Sequence, residues 1–455
     1  MDKSVKELNG NSKIHSFLGH FYYSLGAVPS ALPYNIIGSY LAYFYETKQG
    51  LSVELFGLLM LLYGLWNAIN DPAIGFLMDR KKTRFGRRIP WIVTGGIPLA
   101  LGFTLLWWVP WDNSLSIFLH ALLMLFLFDL GFTFAISAWV ALYTEMYQSE
   151  QERASVVALK DTIAFSSSMI GVIFPPLIAA NLGWEVMGII FGLITLITMY
   201  LSLLGTKERP EYQIDEPLPI MTAIKSIFKN KPFIWISLTY AMIDFSFGLT
   251  MLVFPLYARF TLHLEEEMIS LAMVGIVIGI LASILFWKRA YSTRGPKEGL
   301  MLAMAIYAID ILPFFLVNDV IQMIINSLIP GFGVGGMLMT EPAISAAIDF
   351  DEIQTGKRQE GAYSGILTFI ARLSIVLTSI VLVIIQLLTG FQTGSETQPD
   401  TAQVGLSFLV SIIPSIGIII GLLFIKLYPL DFRLFKEQQI ELKKLHEKRI
   451  AYLEL

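Results

Sequence analysis

The chain has 455 residues and a net charge of −4, with 55% of residues hydrophobic and only 15% charged. One soluble core cannot hide that much apolar surface, whereas a bilayer can, because side chains facing lipid should be apolar. The near-neutral balance, without a basic arm or acidic tail, offers nucleic acid no footprint, and the lack of cysteine excludes disulfides and Cys-based metal sites.

The N-terminus, MDKSVKELNGNSKIHSF, is polar and has no signal-peptide core or small-residue cleavage site. Apolar stretches of spanning length then recur at 17–45, 54–78, 91–110, 115–146, 155–180, 184–204, 232–262, 266–289, 299–317, 320–348, 361–391 and 403–428. This predicts an all-α membrane protein of about twelve transmembrane helices, each long enough for a hydrocarbon core about 30 Å thick. The longest polar interruption, 205–231, holds Lys207, Glu208, Arg209, Glu211, Asp215 and Glu216 and then Met221–Phe228, a segment that could lie on the membrane surface. It divides the chain into an N-terminal six-helix bundle (1–204), a cytoplasmic linker (205–231), a C-terminal six-helix bundle (232–428) and a cytoplasmic tail (429–455).

Lys and Arg crowd the loops after spans two, eight and ten, on the side of the linker and both termini. The positive-inside rule therefore places both termini in the cytoplasm of a plasma-membrane protein. A short internal echo supports two related halves: Arg80…Gly86-Arg87 follows span two, and Arg289…Arg294-Gly295 follows span eight.

The richest apolar-embedded segment is Trp66-Asn67-Ala68-Ile69-Asn70-Asp71-Pro72-Ala73-Ile74-Gly75 in span two. An ionised Asp71 near the bilayer centre costs about 2.5–3.5 kcal/mol unless paired or hydrated. Asn67 lies one helical turn before it, so both oxygen-bearing side chains can share a face and supply part of a hard-cation site. The competing reading is that Asp71 caps or pairs locally beside Pro72, which frees a carbonyl one turn earlier.

Asn70-Asp71-Pro72-x-x-Gly75-x-x-x-Asp79-Arg80, followed by Thr83-Arg84-x-Gly86-Arg87-Arg88-x-Pro90-Trp91, resembles the signature of the glycoside–pentoside–hexuronide cation symporters, the melibiose-permease-like family of the major facilitator superfamily. Two further stretches match that family in order: Asp349-Phe350-Asp351-Glu352-x-x-Thr355-Gly356-Lys357-Arg358-x-Glu360-Gly361, and Trp139-x-x-x-Tyr143-Thr144-Glu145 with Glu150-x-Glu152-Arg153. The resemblance implies the major facilitator fold, two six-helix pseudo-repeats, and cation-coupled symport by alternating access rather than enzymatic activity. It implies cation binding by Asp71 and Asn67, with Na⁺ held on Asp71 if Na⁺ is the coupling ion and protonation of Asp71 if H⁺ is. It gives gating roles to Asp79, Arg80, Arg87, Asp349, Lys357, Arg358 and Glu360, and substrate contacts to Trp139, Lys160 and Arg372.

The departures bear on the solute. Asn67 stands where relatives often carry a second acid, Ser30 and Ala31 replace a basic–acidic pair, and Ala135 replaces a carboxylate one turn before Trp139. Trp139, Lys160 and Arg372 leave an aromatic face and two cations, which suit a sugar, glycoside or hexuronide with an anionic group. A lysolipid or other amphiphile is the alternative solute, and a receptor that binds solute without moving it is a further alternative. Other intramembrane acids fit several roles. Asp129 could replace a missing carboxylate or pair with Lys160, Asp161 could neutralise a nearby cation, Asp244 and Glu341 could serve the second half, and Asp310 suits a structural role. No G-x-x-x-x-G-K-[ST] segment is present for an ATP-driven pump, and no nucleophile motif points to an enzyme. The expected partners are a small solute, a coupling cation (Na⁺ or H⁺) and the bilayer, with no other cofactor, in a monomer.

Overall fold

The computed structural model describes residues 16–80, 86, 88–147, 150–208, 229–317, 319–355 and 360–453. Helices occupy every span expected from the sequence. Ten of them, among the described residues, are long and apolar enough to cross a membrane. The other two expected spans are helical as well, the first in pieces and the second with a shorter apolar run over Val53–Asn67. The chain forms two compact units, Met1–Pro217 with Gln392–Glu396 and Leu218–Phe391 with Thr397–Leu455.

In the first unit, span one is α1 (Phe17–Ser24) and α2 (Ala27–Ala42), which ends in a π-helical turn over Tyr43–Lys48. Then come α3 (Val53–Arg80), α4 (Ile89–Leu106), α5 (Ser114–Met146), α6 (Glu150–Leu182) and α7 (Trp184–Ser202). Pro90 opens α4, where its missing N–H costs nothing. Asn113 starts α5 by accepting a hydrogen bond from the Ser116 N–H at 2.9 Å. Helix α4 packs on α5 and α7, α2 on α6 and α7, and α3 on α5. The α4–α5 contact is backbone on backbone. A Cβ on Gly131 would stand 2.2 Å from the Leu99 nitrogen, and one on Gly102 would stand 2.4 Å from the Phe128 nitrogen. Lipid offers helices no hydrophobic incentive to associate, so small residues that permit such close packing hold them together.

The second unit holds α8 (Lys231–Phe260), α9 (Glu266–Arg294), α10 (Pro296–Asp310), α11 (Val320–Met337), α12 (Glu341–Thr355), α13 (Glu360–Thr389), α14 (Asp400–Ser407), α15 (Ile413–Leu427) and α16 (Phe432–Leu453). A short 3₁₀ turn over Leu338–Thr340 joins α11 to α12, and a π-helical turn over Phe408–Ile412 joins α14 to α15. Helix α8 packs on α13 and α15, α9 on α11, and α10 on α11 and α15. Here the closest approach is between α9 and α11, where a Cβ on Gly279 would fall 2.1 Å from the Leu328 carbonyl oxygen. The two units therefore use different helix pairs for their tightest packing. Outward side chains such as Leu285 (80% exposed) and Leu388 (77% exposed) are apolar, as a lipid solvent requires.

Candidate functional site

The polar core of the first unit lies between α3 and α5. Asn70 donates from Nδ2 to the Asp129 carboxylate at 2.9 Å and to the Thr133 hydroxyl at 2.9 Å. All three side chains are buried. Asp129 and Thr133 are one turn apart on α5, so a single amide reaches both. Asn67, one turn before Asp71 and 1% exposed, donates its Nδ2 to the Tyr63 carbonyl at 3.1 Å within its own helix. Its Oδ1 is buried without a hydrogen-bond partner. A buried acceptor left unsatisfied costs about 1–3 kcal/mol, so this oxygen is set to gain from a cation or a bound hydroxyl. Asp129 and Thr133 are held together by Asn70, while Asn67 lies three residues before Asn70 on α3. Asp71, Asp79 and Arg80 lie on α3, and their side chains lie outside the described part of the structure; Arg87 lies outside the described residues.

Trp139 is buried on α5 and packs against span one. Its ring stacks on Tyr23 with centroids 5.1 Å apart, its Nε1 donates to the Tyr23 carbonyl at 3.0 Å, and the Tyr23 hydroxyl donates to the Trp139 carbonyl at 3.0 Å. A Cβ at Gly26 would fall 2.3 Å from that Nε1. Lys160 on α6 makes its ion pair with Asp161 at 3.5 Å and sits 5.9 Å from the Tyr143 ring centroid. Of the two sequence readings for Lys160, its neighbour Asp161 rather than Asp129 is the paired carboxylate.

At the loop end of the same unit, Gly86 has φ +110° and Glu208 lies against it. The Glu208 carboxylate Oε1 accepts from the Arg88 N–H at 2.5 Å and the Ile89 N–H at 2.6 Å. It thereby satisfies donors at the start of α4 and places a negative charge where the helix dipole favours one. In sequence Glu208 falls within the expected linker, 205–231. The second unit has a counterpart: Gly295 has φ +90° and is covered by the Phe432 ring, while Lys297 Nζ donates to the Tyr428 carbonyl at 2.5 Å and the Lys426 carbonyl at 3.2 Å. Both loop glycines adopt a backbone conformation that L side chains rarely take.

In the second unit, Arg372 on α13 is buried, and Asp244 lies on α8, which packs against α13. Ser374 fixes the register of the two helices by donating to the Ala241 carbonyl at 3.1 Å. Glu341 opens α12 and is exposed, and Asp310 is half-buried at the end of α10. Asp349 is buried near the end of α12 with Asp351 and Glu352. The first half of α12 is held from three directions. Asn230 donates to the Ala347 carbonyl at 2.7 Å, Gln438 of α16 to the Ala346 carbonyl at 2.6 Å, and Tyr428 to the Ala343 carbonyl at 2.8 Å. Lys357 and Arg358 lie outside the described residues, as does Met221–Phe228; Glu360 opens α13, its side chain also outside the described part.

Residues 22–432 match the family described as MFS/sugar transport protein. The chain is 26% identical over 451 residues to the uncharacterized symporter YnaJ of Bacillus subtilis (strain 168), covering 96% of each chain. It is 22% identical over 475 residues to the sodium-dependent lysophosphatidylcholine symporter 1 of Gallus gallus, covering 93% of this chain and 89% of that one. Its structure resembles the crystal structure of a bacterial homolog of the human lysosomal transporter Spinster, with a TM-score of 0.63 at 15% identity, covering 94% of this chain and 98% of that one.

Proposed function

The chain belongs to the MFS/sugar transport protein family and is an integral membrane protein of the major facilitator fold, and from that premise we propose that it is a symporter moving an organic solute together with Na⁺ or H⁺ by alternating access. The observation that carries this reading is the set of buried polar side chains on α3 and α5. Asn67 Oδ1 lacks a partner while Asp129 and Thr133 oxygens are held by Asn70, in helices where an uncompensated acid is expensive. Asp71 shares a helix face with Asn67 and completes the cation site in this proposal. Cation and solute couple because each favours the same conformation, a linkage that is reciprocal.

The solute in the first reading is a sugar, glycoside or hexuronide, as the family description suggests, with Trp139, Lys160 and Arg372 as contacts. The lysophosphatidylcholine symporter of Gallus gallus favours an amphiphilic solute as the second reading.

The test is uptake into proteoliposomes under imposed Na⁺ or H⁺ gradients, screening sugars, hexuronates and lysolipids. One solute should accumulate uphill with one cation, and Asp71→Asn should abolish accumulation while leaving folded protein. Uphill uptake unchanged in Asp71→Asn removes that side chain from coupling, and solute binding without movement by the intact chain makes it a receptor.

A further inference from the structure

Asp244 is a half-buried acid in α8, a helix of membrane-spanning length. It makes no hydrogen bond, and no ion pair within 4.0 Å, among the described residues. A carboxylate in such a helix faces the bundle interior or a water-filled passage, because lipid cannot solvate it. The rest of α8 agrees. Leu238 is its one exposed large apolar side chain. Six residues separate Leu238 from Asp244, which places it about a third of a turn away around the axis at about 100° per residue.

Two contacts fix which way this side of α8 points. Ser374 of α13 donates to the Ala241 carbonyl at 3.1 Å. A Cβ on Gly248 would have one neighbour from another helix, the Thr378 Oγ1 of α13 at 4.0 Å. Ala241, Asp244 and Gly248 are spaced three and four residues apart, so they share a face, and Asp244 stands between the two contact points. The missing side chain of Gly248 leaves a notch one turn beyond the carboxylate, with the buried Thr378 hydroxyl opposite. On the other flank of Asp244 stand Tyr240 and Phe247, four residues before it and three after, both half-buried. The acid therefore sits between two aromatic rings and an unfilled notch. In the first unit Trp139 is stacked on Tyr23 and Lys160 is paired with Asp161, so α8 supplies an aromatic face and an acceptor that those residues do not.

Resting on the symporter reading above, we propose that this face of α8 is a subsite for an uncharged pyranoside. The C–H face of the ring lies on Phe247 and Tyr240, its hydroxyls donate to the Asp244 carboxylate, and one substituent enters the Gly248 notch beside Thr378. Hydrogen bonds from hydroxyls to an ionised carboxylate are the strong kind, and an aromatic ring takes the apolar side of a sugar. A hexuronate brings a second negative charge towards the acid and is repelled, most strongly where the dielectric is low. An acyl chain leaves the carboxylate unsatisfied. Asp244 is thus the specificity-determining residue, selecting neutral sugars and glycosides from the solutes that the family description admits. The subsite uses no charge from Arg372, which has contacts of its own.

The experiment measures binding to the purified full-length protein and uptake into proteoliposomes under Na⁺ or H⁺ gradients. The probes are methyl glucoside, methyl galactoside, methyl xyloside, the methyl glucuronide and galacturonide, and lysophosphatidylcholine. At least one neutral pyranoside should bind about tenfold or more tightly than its uronide. Asp244→Asn should weaken that pyranoside about tenfold or more and shrink its advantage over the uronide. Gly248→Leu should melt at or above the parent temperature, because the position is open and leucine favours a helix, yet bind the pyranoside about tenfold more weakly as the notch fills. Phe247→Leu, which keeps bulk but loses the ring face, should also weaken it. Pyranoside affinity within about twofold of the parent in folded Asp244→Asn overturns the subsite, whether or not Gly248→Leu folds. Tighter binding of the uronide by the intact protein overturns it as well. Pyranoside binding that depends on Asp244, without gradient-driven uptake, upholds the subsite and defeats symport. Uphill uptake of lysophosphatidylcholine with no pyranoside bound upholds symport and defeats the subsite.

Discussion

The Glu208 carboxylate rests against the Cα of Gly86 closely enough that a Cβ there would lie 2.4 Å from the Glu208 Cδ. One acid thus covers the loop glycine and takes two N–H groups at the start of α4. Gly86→Ala meets two penalties, a positive φ of 110° and the displaced carboxylate. The backbone strain costs about 1–3 kcal/mol. Glu208→Ala removes the second penalty alone. The double variant should therefore be less destabilised than the sum of the two single variants, as read by thermal unfolding in detergent. Strict additivity would mean that Glu208 and Gly86 act independently.

Asn70 and Asn67 should separate stability from ion binding. Asn70→Ala strips Asp129 and Thr133 of a shared donor and should cost about 1–3 kcal/mol of stability. Asn67→Ala loses only a bond to its own helix and removes an unsatisfied oxygen. It should leave the melting temperature nearly unchanged while weakening the protection that the coupling cation gives against heat. If Na⁺ and H⁺ protect Asn67→Ala as well as they protect the parent chain, that oxygen is not a ligand.

Trp139 is wedged between Tyr23 and Gly26. Truncation to alanine should open a cavity costing about 3–5 kcal/mol, whatever solute the protein carries. A solute role predicts a different pattern: a large fall in affinity with Trp139→Phe at nearly constant melting temperature. Measuring both for the same variant distinguishes packing from recognition.

Lys160 and Asp161 form a pair with side chains 31% and 61% exposed. Such a pair contributes only about 0–1 kcal/mol. Lys160→Gln should therefore melt within a few degrees of the parent. A strong loss of uptake in that variant would report a contact with the moving solute or a changed conformational equilibrium rather than unfolding.

Helix positions were legible because spanning length and apolarity are local properties of the chain. The kinship of Gly86 and Gly295 was legible too, since an ordered Arg–Gly pattern follows spans two and eight, and both glycines take positive φ. The partner of Asp129 was not. Asn70 looks in sequence like a neighbour of Asp71, and only the packing of α3 on α5 shows that its amide serves the other helix. Glu208 sits among Lys207, Arg209 and Glu211, so its charge reads as solvated linker until the fold brings it to α4. Nor does sequence separate Trp139 as packing from Trp139 as platform, because a buried aromatic and a binding aromatic look alike one residue at a time.

The π-helical turn over Phe408–Ile412 holds one residue more than an α-helical turn would. Each residue advances a helix by about 100°, so this surplus sets the azimuth of everything in span twelve that follows. It brings Gly417 to Ser246 and Gly421 to Met304, where a Cβ would stand 2.4 Å and 2.7 Å from side-chain atoms. Deleting Ser411 would straighten the span and swing both notches off their neighbours, so a one-residue deletion there should unseat the whole second unit while barely shortening the helix.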